Sequence, residues 1–510
     1  MAACISPGGL GTIDALTEKP LKYRYRTQPF AHQKKALNRI IKLNGRCMLA
    51  MEMGTGKTKV AIDWASICYR NYGLRRVLVV APLSVLSVWR RQIRQHSPVP
   101  ARIAILSGST SDKARLVRGM SKYPYEKGID WIVVNYESVW REDTHGTRLE
   151  DTIKKWKPDL VVADESHKIK HSTSRQSRSL SRLGDAVPMA LALSGTPITK
   201  SPLDVFGQFR FLNSAVFGIR WTDFKMEYGV WGGLSGFQLK AVKNLPRLKR
   251  KVRANSYQVR KEECLDLPEK LGDISDPAGP NIVPVELPDR IMEFYGKMAS
   301  EMIFEIENDE KVTASIVLTK LLRLSQITSG HIVNTEGVTR ILHDFKLRAG
   351  MDLITDITEQ GEKVVVFTRF RSDYYRLHSL LEAAKIRHSV LSGDVPANQR
   401  ERVVSDFQRS SQNLVFVSQI ASGSLGIDLT ASSQCLFYSW DYRWDHYVQA
   451  ADRIHRQGQT KSCTYYHLVV PRTIDSLSLD ILRKKGNLAK YVIHDPHTLG
   501  SALTKETRLS

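Results

Sequence analysis

Met51-Glu52-Met53-Gly54-Thr55-Gly56-Lys57-Thr58 stands between a short apolar run and a helical pattern. Gly54 and Gly56 let backbone N–H groups, including that of Thr55, come close to phosphate oxygens, and a helix N-terminus adds a favourable dipole. Lys57 then reaches the β- and γ-phosphates of a nucleotide, and the Thr58 hydroxyl is a ligand for Mg²⁺. Met51 stands where the general G-x-x-x-x-G-K-T pattern has its first glycine. Leu160 to Ala163 is a second apolar run, and it ends in Asp164-Glu165-Ser166-His167. At a strand end, Asp164 can hold the metal through water, and Glu165 can orient and deprotonate an attacking water. Ser194-Gly195-Thr196-Pro197 follows a third run and reads as a relay, or in isolation as a plain turn. Far downstream, Arg453 and Arg456 lie three apart, which predicts one helix face. Such a pair can act as an arginine finger on a γ-phosphate. Gly423-Ser424-Leu425-Gly426-Ile427-Asp428 is a Gly-rich turn, with Gly426 and Asp428 expected on the nucleotide side.

These residues need strands to end at and helices to start from. The runs Cys47–Ala50, Val77–Ala81, Ile103–Leu106, Trp131–Asn135, Leu160–Ala163 and Ala190–Ser194 are continuously apolar, as parallel strands buried on both faces are. Helical stretches separate them, so residues 21–216 predict a doubly wound α/β unit. Residues 217–341 read as mostly helical and poor in strands. They contain nine Lys or Arg and no acid between Lys240 and Lys261. That run is either a solvated helix face or a DNA-facing stripe. The α/β pattern returns over 342–494, with strands at Val364–Phe367, His388–Leu391, Leu414–Val417, Cys435–Tyr438 and Tyr465–Val469. Trp440 and Trp444 are expected to pack more than to stack on a base.

The chain has 510 residues, 42% of them hydrophobic and 25% charged, which fits a globular protein of about three domains at the usual size or of two large ones. Its net charge of +23 favours a polyanionic partner, nucleic acid before an anionic membrane. No apolar run approaches the roughly 20 residues of a membrane span, and Met1 to Pro20 has no signal-peptide pattern. The six scattered cysteines argue against a disulfide scaffold and against a zinc site, and favour a reducing compartment.

Taken together the motifs resemble superfamily 2 helicase-like ATPases and, within them, the SNF2 family of duplex DNA translocases. Ala50 to Thr58 is similar to that family's A-D-E-M-G-x-G-K-T, with Met51 in place of its Asp. Asp164-Glu165-Ser166-His167 resembles its D-E-x-H box, and Leu193 to Pro197 its third motif. Gln449 to Gln459 is similar to Q-A-x-D-R-x-H-R-x-G-Q, ending in Gln459 where strand-separating relatives usually carry Arg. Phe30-Ala31-His32-Gln33 resembles the Q motif, which implies a base contact for Gln33. Leu322 to Gly330 resembles the version found in compact fork-remodelling and annealing members.

The resemblance implies two RecA-like lobes, doubly wound and parallel, with a mostly helical SNF2-type insertion between them. It implies ATP and Mg²⁺ as cofactors, with Lys57, Glu165, Arg453 and Arg456 as the catalytic set. It further implies phosphate-backbone contacts by Ser84, Asn135, Thr368, Arg369 and Arg371. The expected activity is DNA-dependent ATP hydrolysis coupled to translocation on double-stranded or branched DNA. The alternatives are a strand-separating DNA or RNA helicase and a non-catalytic nucleic-acid-binding subunit. A monomer is expected, inside the cell: in the cytoplasm or nucleoid of a bacterial or phage-infected cell, or in a eukaryotic nucleus. No membrane partner is expected.

Overall fold

The computed structural model describes residues 23–484, apart from 196, 199–200, 233–237, 265–266, 309–313, 335 and 422–425. It divides into two compact units, one ending at Asp266 and the next beginning at Leu267. In the first unit the strands are β1 (Arg46–Met51), β2 (Arg76–Ala81), β3 (Ala101–Ile105), β4 (Ile129–Asn135), β5 (Leu160–Asp164), β6 (Met189–Leu193), β7 (Gly229–Gly232), β8 (Gln238–Val242) and β9 (Ser256–Val259). Seven of them form one parallel sheet in the order β3-β4-β2-β5-β6-β1-β9, and β7 and β8 make a separate antiparallel pair.

Alternate residues of each strand feed two separate cores. Met48, Leu78, Ile132 and Val161 belong to one, and Leu49, Val79, Val133 and Val162 to the other. Two cores, one per face, are the physical meaning of a doubly wound sheet and explain why the strand sequences are apolar without alternation. Helices cover both faces. One of them, Thr110–Lys122, opens with a Ser109 hydroxyl accepting from the Asp112 N–H at 3.1 Å.

The second unit repeats this plan. Its strands are β10 (Lys270–Leu271), β11 (Asn281–Pro284), β12 (His331–Val333), β13 (Thr339–Ile341), β14 (Val364–Thr368), β15 (His388–Leu391), β16 (Val415–Gln419), β17 (Gln434–Phe437) and β18 (Cys463–Val469). The parallel sheet runs β10-β18-β17-β14-β16-β15, with β11 also on β18. Val365 and Phe367 face one core, Val364 and Val366 the other.

The strand-poor middle expected over 217–341 is divided between the units, and it contains strands. β9 becomes the edge partner of β1, and β10 and β11 add to β18. These strands are two to four residues long, too short to show a period in the sequence. Phe217 and Phe224 pack on Phe209 and Phe206 of the first unit, and Tyr228 packs on Phe217 and Phe224. The helices Asp289–Asn308 and Ala314–Thr328 pack against the helix Ile474–Arg483 of the second. Among the described residues, no helix is long and apolar enough to cross a membrane.

Candidate active site

All strands of the first sheet run the same way, so their C-terminal ends share one edge. There β5, β6 and β1 are adjacent, paired through Asp164↔Leu193 and Leu49↔Leu193. Three motifs separated by long stretches of sequence therefore end side by side. This is where open α/β sheets bind ligands.

After β1 the chain turns through Gly54 and Gly56, at φ +81° and +86°, and enters the helix Lys57–Tyr72. Gly56 is the residue before the helix, in a left-handed conformation that costs other residues energy. A Cβ there would also collide with Gln33 Nε2. The Thr55 carbonyl accepts from Gln33 Nε2 at 3.1 Å and lies 2.8 Å from His32 Nε2. Both side chains are buried and brace the loop from behind. The Gln33 amide that the resemblance assigns to a base thus supports the loop here, while its Oε1 accepts from the Phe30 N–H at 3.1 Å. Sequence reasoning missed His32 as a brace. The Lys57 ammonium is buried and donates to the carbonyls of Met51 and Glu52 at 2.9 and 3.4 Å. Glu52 Oε2 accepts from the Lys261 N–H at 2.9 Å, which ties the basic Arg260-Lys261 pair to the loop.

Asp164 closes β5. Its carboxylate accepts from Trp89 Nε1 at 2.8 Å and from the Glu165 N–H at 3.0 Å. Burial first, then the neighbouring Glu165, lifts its pKa to about 6, against the pull of Trp89 and Lys57. Glu165 sits at φ +51°, a left-handed turn for a non-glycine residue, with His167 Nδ1 at 3.3 Å from its Oε2. Such local strain is concentrated at functional sites. The Gly195 Cα lies against Met53 and the Lys57 ammonium, which a Cβ would meet at 3.1 and 3.6 Å. The third motif therefore touches the first. Thr196 lies outside the described residues. Trp89 was not anticipated, because nothing local in the sequence links it to an acid 75 residues away.

In the second unit the reading of Arg453 and Arg456 on one helix face is corrected. The helix Trp444–Ala451 ends before them, and residues 452–458 form successive turns. Long-range side-chain bonds impose those turns. Gln459 Nε2 donates to the carbonyls of Ile454, Thr430 and Ser432 at 3.0, 3.3 and 2.8 Å. His455 Nε2 is 2.7 Å from the Pro268 carbonyl. Both arginines still meet the Gly426 turn. The Arg453 carbonyl accepts from the Leu429 N–H at 3.1 Å, and Arg456 Nη1 donates to the Ile427 carbonyl at 3.1 Å. Gly426 has φ +64°. The Asp428 carboxylate accepts from Thr430 and Gln408 and so shapes this turn. Gly423, Ser424 and Leu425 lie outside the described residues.

The expected backbone contacts separate into different environments. Thr368 is fully buried at the end of β14, so its hydroxyl does not face a ligand as expected. Strands β16 and β17 flank it on both sides. Asn135 is nearly buried, and its amide bonds to Glu137 and Ser138 in the next turn. Arg369 lies over the Tyr442 ring at 4.3 Å. Arg371 is exposed and pairs with both oxygens of Asp394 at 2.8 and 2.9 Å. Ser84 sits in the turn Leu83–Val85 after β2. The middle of the basic run Lys240–Lys261 forms the helix Leu245–Ala254, which buries Leu248 and Val252 and exposes Lys249 and Arg250. Lys251 instead donates to the Val216 carbonyl at 2.9 Å. Trp440 packs in the core and donates to Ser478 at 3.1 Å.

Residues 32–330 match the SNF2-related domain, more than half of the chain. The chain belongs to the SNF2-related family. Residues 346–458 match the helicase conserved C-terminal domain. The chain is 26% identical to the uncharacterized ATP-dependent helicase MG018 of Mycoplasma genitalium, over 91% of this chain and 42% of that protein. It is 27% identical to the DNA annealing helicase and endonuclease ZRANB3 of Bos taurus, over 92% of this chain and 41% of that one. The chain thus spans about two fifths of the length of these two relatives. A solved structure, the Sulfolobus solfataricus SWI2/SNF2 ATPase core in complex with dsDNA, aligns with a TM-score of 0.42 at 20% identity, covering 94% of this chain and 98% of that one.

Proposed function

We propose that this SNF2-related chain is a DNA-dependent ATPase that couples hydrolysis to translocation on double-stranded DNA, remodelling DNA structures or protein–DNA complexes. The observation that carries the reading is the meeting of Lys57, Asp164, Glu165 and Gly195 at one sheet edge. The residues fit Mg²⁺·ATP. Left-handed glycines and a helix start offer backbone donors to phosphate, and two adjacent carboxyls, Asp164 buried and Glu165 half-buried, suit a divalent cation. When bound, the nucleotide supplies the phosphoanhydride and the cation neutralises its charge.

The protein's part follows from residue chemistry. Lys57 exchanges its carbonyl acceptors for phosphate oxygens, and Thr58 and Asp164 hold the metal directly or through water. Glu165 takes the proton of the attacking water on its carboxylate. Arg453 and Arg456 stabilise the charge on the transferred phosphoryl group, and Gly426 and Asp428 shape the turn that orients them. Exposed Arg371 is the best placed of the expected backbone contacts, because an exposed ion pair is worth at most about 1 kcal/mol and exchanges readily for a DNA phosphate. The relatives' names support action on DNA, and the name of the Mycoplasma relative favours strand separation as the second reading.

Glu165→Gln is expected to bind ATP while losing about 10²–10⁴-fold in turnover. Full residual activity would remove Glu165 as the base. Stimulation of the wild-type rate by duplex or forked DNA, with triplex displacement and no unwinding, is the outcome for a translocase. Unwinding of a duplex with a single-stranded tail supports the second reading.

A further inference from the structure

The helix Arg371–Ala383 ends in a double-bonded reversal. The Ile386 N–H donates to the Leu381 carbonyl at 2.9 Å and the Lys385 N–H to the Glu382 carbonyl at 3.0 Å, with Lys385 at φ +56°. Leu381 and Ile386 belong to the same apolar cluster. This is the Schellman arrangement, and it sends the chain back along the last turn of its own helix. His388, the first residue of β15, therefore lies against His378 and Glu382, which are four apart on one helix face.

The three side chains converge. His378 Nδ1 is 2.6 Å from His388 Nε2, and Glu382 Oε1 is 3.7 Å from that same nitrogen. Among the described residues this is the one cluster whose ligand atoms all lie within 4.8 Å of one another. His388 Nδ1 is 2.8 Å from the Ile386 carbonyl. A carbonyl only accepts, so Nδ1 carries the proton and Nε2 of the neutral ring presents a lone pair to the cluster. A backbone acceptor on the second ring nitrogen is the usual support of a metal-bound imidazole. The His388 side chain is only 3% exposed while that of Glu382 is 66% exposed, which gives a fixed ligand inside and an open approach outside. Tetrahedral zinc with Zn–N near 2.0–2.1 Å places its ligands about 3.3 Å apart. The two rings need to part by less than 1 Å, which the exposed His378 accomplishes on the helix surface. Arg387, the nearest cation in sequence, directs its guanidinium to Asp406 at 3.4 Å.

We propose that His378, Glu382 and His388 form a Zn²⁺ site with an open fourth position, which fastens the end of this helix to β15. Two imidazoles and one carboxylate suit Zn²⁺ and disfavour Mg²⁺ or Ca²⁺. The scattered cysteines argued against zinc, but this site uses none of them.

The test uses the full chain, stripped with chelator, then titrated with Zn²⁺ and separately with Co²⁺. The expected result is one tight equivalent and a visible four-coordinate Co²⁺ band. Zn²⁺ at a hundredfold above its Kd should raise the Tm by about 5 °C. His378→Gln and Glu382→Gln, both on the exposed side, should each weaken binding at least about tenfold and remove the band. His388→Gln serves as a further check only if it folds. Absence of a tight equivalent in the wild type overturns the proposal, as does binding and Tm gain unchanged in His378→Gln and Glu382→Gln.

Discussion

The two units are built alike and use their strand ends differently. Each has a seven-stranded parallel sheet with one core on each face. In the first, the ends of β1, β5 and β6 gather a glycine-turned loop, a lysine and adjacent acids, and burial holds Asp164 above its ordinary pKa. In the second, the polar groups that follow β14 and β16 are tied into the surrounding chain. Thr368 is enclosed, Asp428 shapes a turn, and Asp373 is buried with Ser439 donating to it at 2.6 Å. Burial raises Asp373 as well, to about 7, despite Ser439 and the nearby Lys346 and Arg376. A shared architecture thus does not assign shared chemistry. What differs is whether the buried charge lies beside a glycine turn and a lysine at a sheet edge or inside the first turn of a helix.

The largest test of this contrast is Lys57→Ala. It should lower ATP turnover by about 10³-fold or more, because a charge facing the phosphates in a water-poor site is lost. A rate within tenfold of wild type would break the assignment of chemistry to the first edge.

The next is pH. Protonated Asp164 cannot hold a cation, so the apparent affinity for Mg²⁺·ATP should fall about tenfold per pH unit below about 6. The stability sign is opposite. A folded pKa of about 6 against an ordinary 3.8 means that the ionised acid costs stability above pH 6. That cost is relieved as pH falls through this window. Nucleotide titrations and denaturant melts across pH 5–8 should therefore diverge for this residue, with Asp164→Asn removing the stability trend.

Gln459→Ala is third. It removes the amide that donates to three carbonyls, two of them in buried bonds, and should cost about 1–3 kcal/mol in denaturant unfolding of the second unit. An unchanged midpoint would show that the turn carrying Arg453 and Arg456 is held by other means. Thr368→Val is the smallest. Its side chain is fully enclosed, so stability should shift by less than about 1 kcal/mol and DNA binding should stay constant. Weaker DNA binding with unchanged stability would reinstate Thr368 as a contact.

All eleven apolar runs read as strands became strands, with ends shifted by no more than two residues. Continuous burial on two faces writes itself into a local run, so it is legible. The short edge strands β9, β10 and β11 were not, because their pairing depends on the neighbours β1 and β18. The glycine turn between β1 and its helix, and the acids that close β5, were legible for the same local reason. Trp89 and His32 were not, since a hydrogen bond to a distant partner leaves no mark on spacing. The helix expected through Arg453 and Arg456 failed on equivalent grounds, as Gln459 reaches carbonyls up to 29 residues away.

The sequence by itself determined the strands, the glycine-rich turn before the first long helix and the excess of positive charge, all properties of neighbours along the chain. Only the tertiary structure decided that β5, β6 and β1 lie side by side, and hence that an acid, a glycine and a lysine from distant segments share one edge. It also decided that His388 returns to His378 and Glu382, because strand order and chain reversal are settled by burial of two faces at once and not by any local pattern.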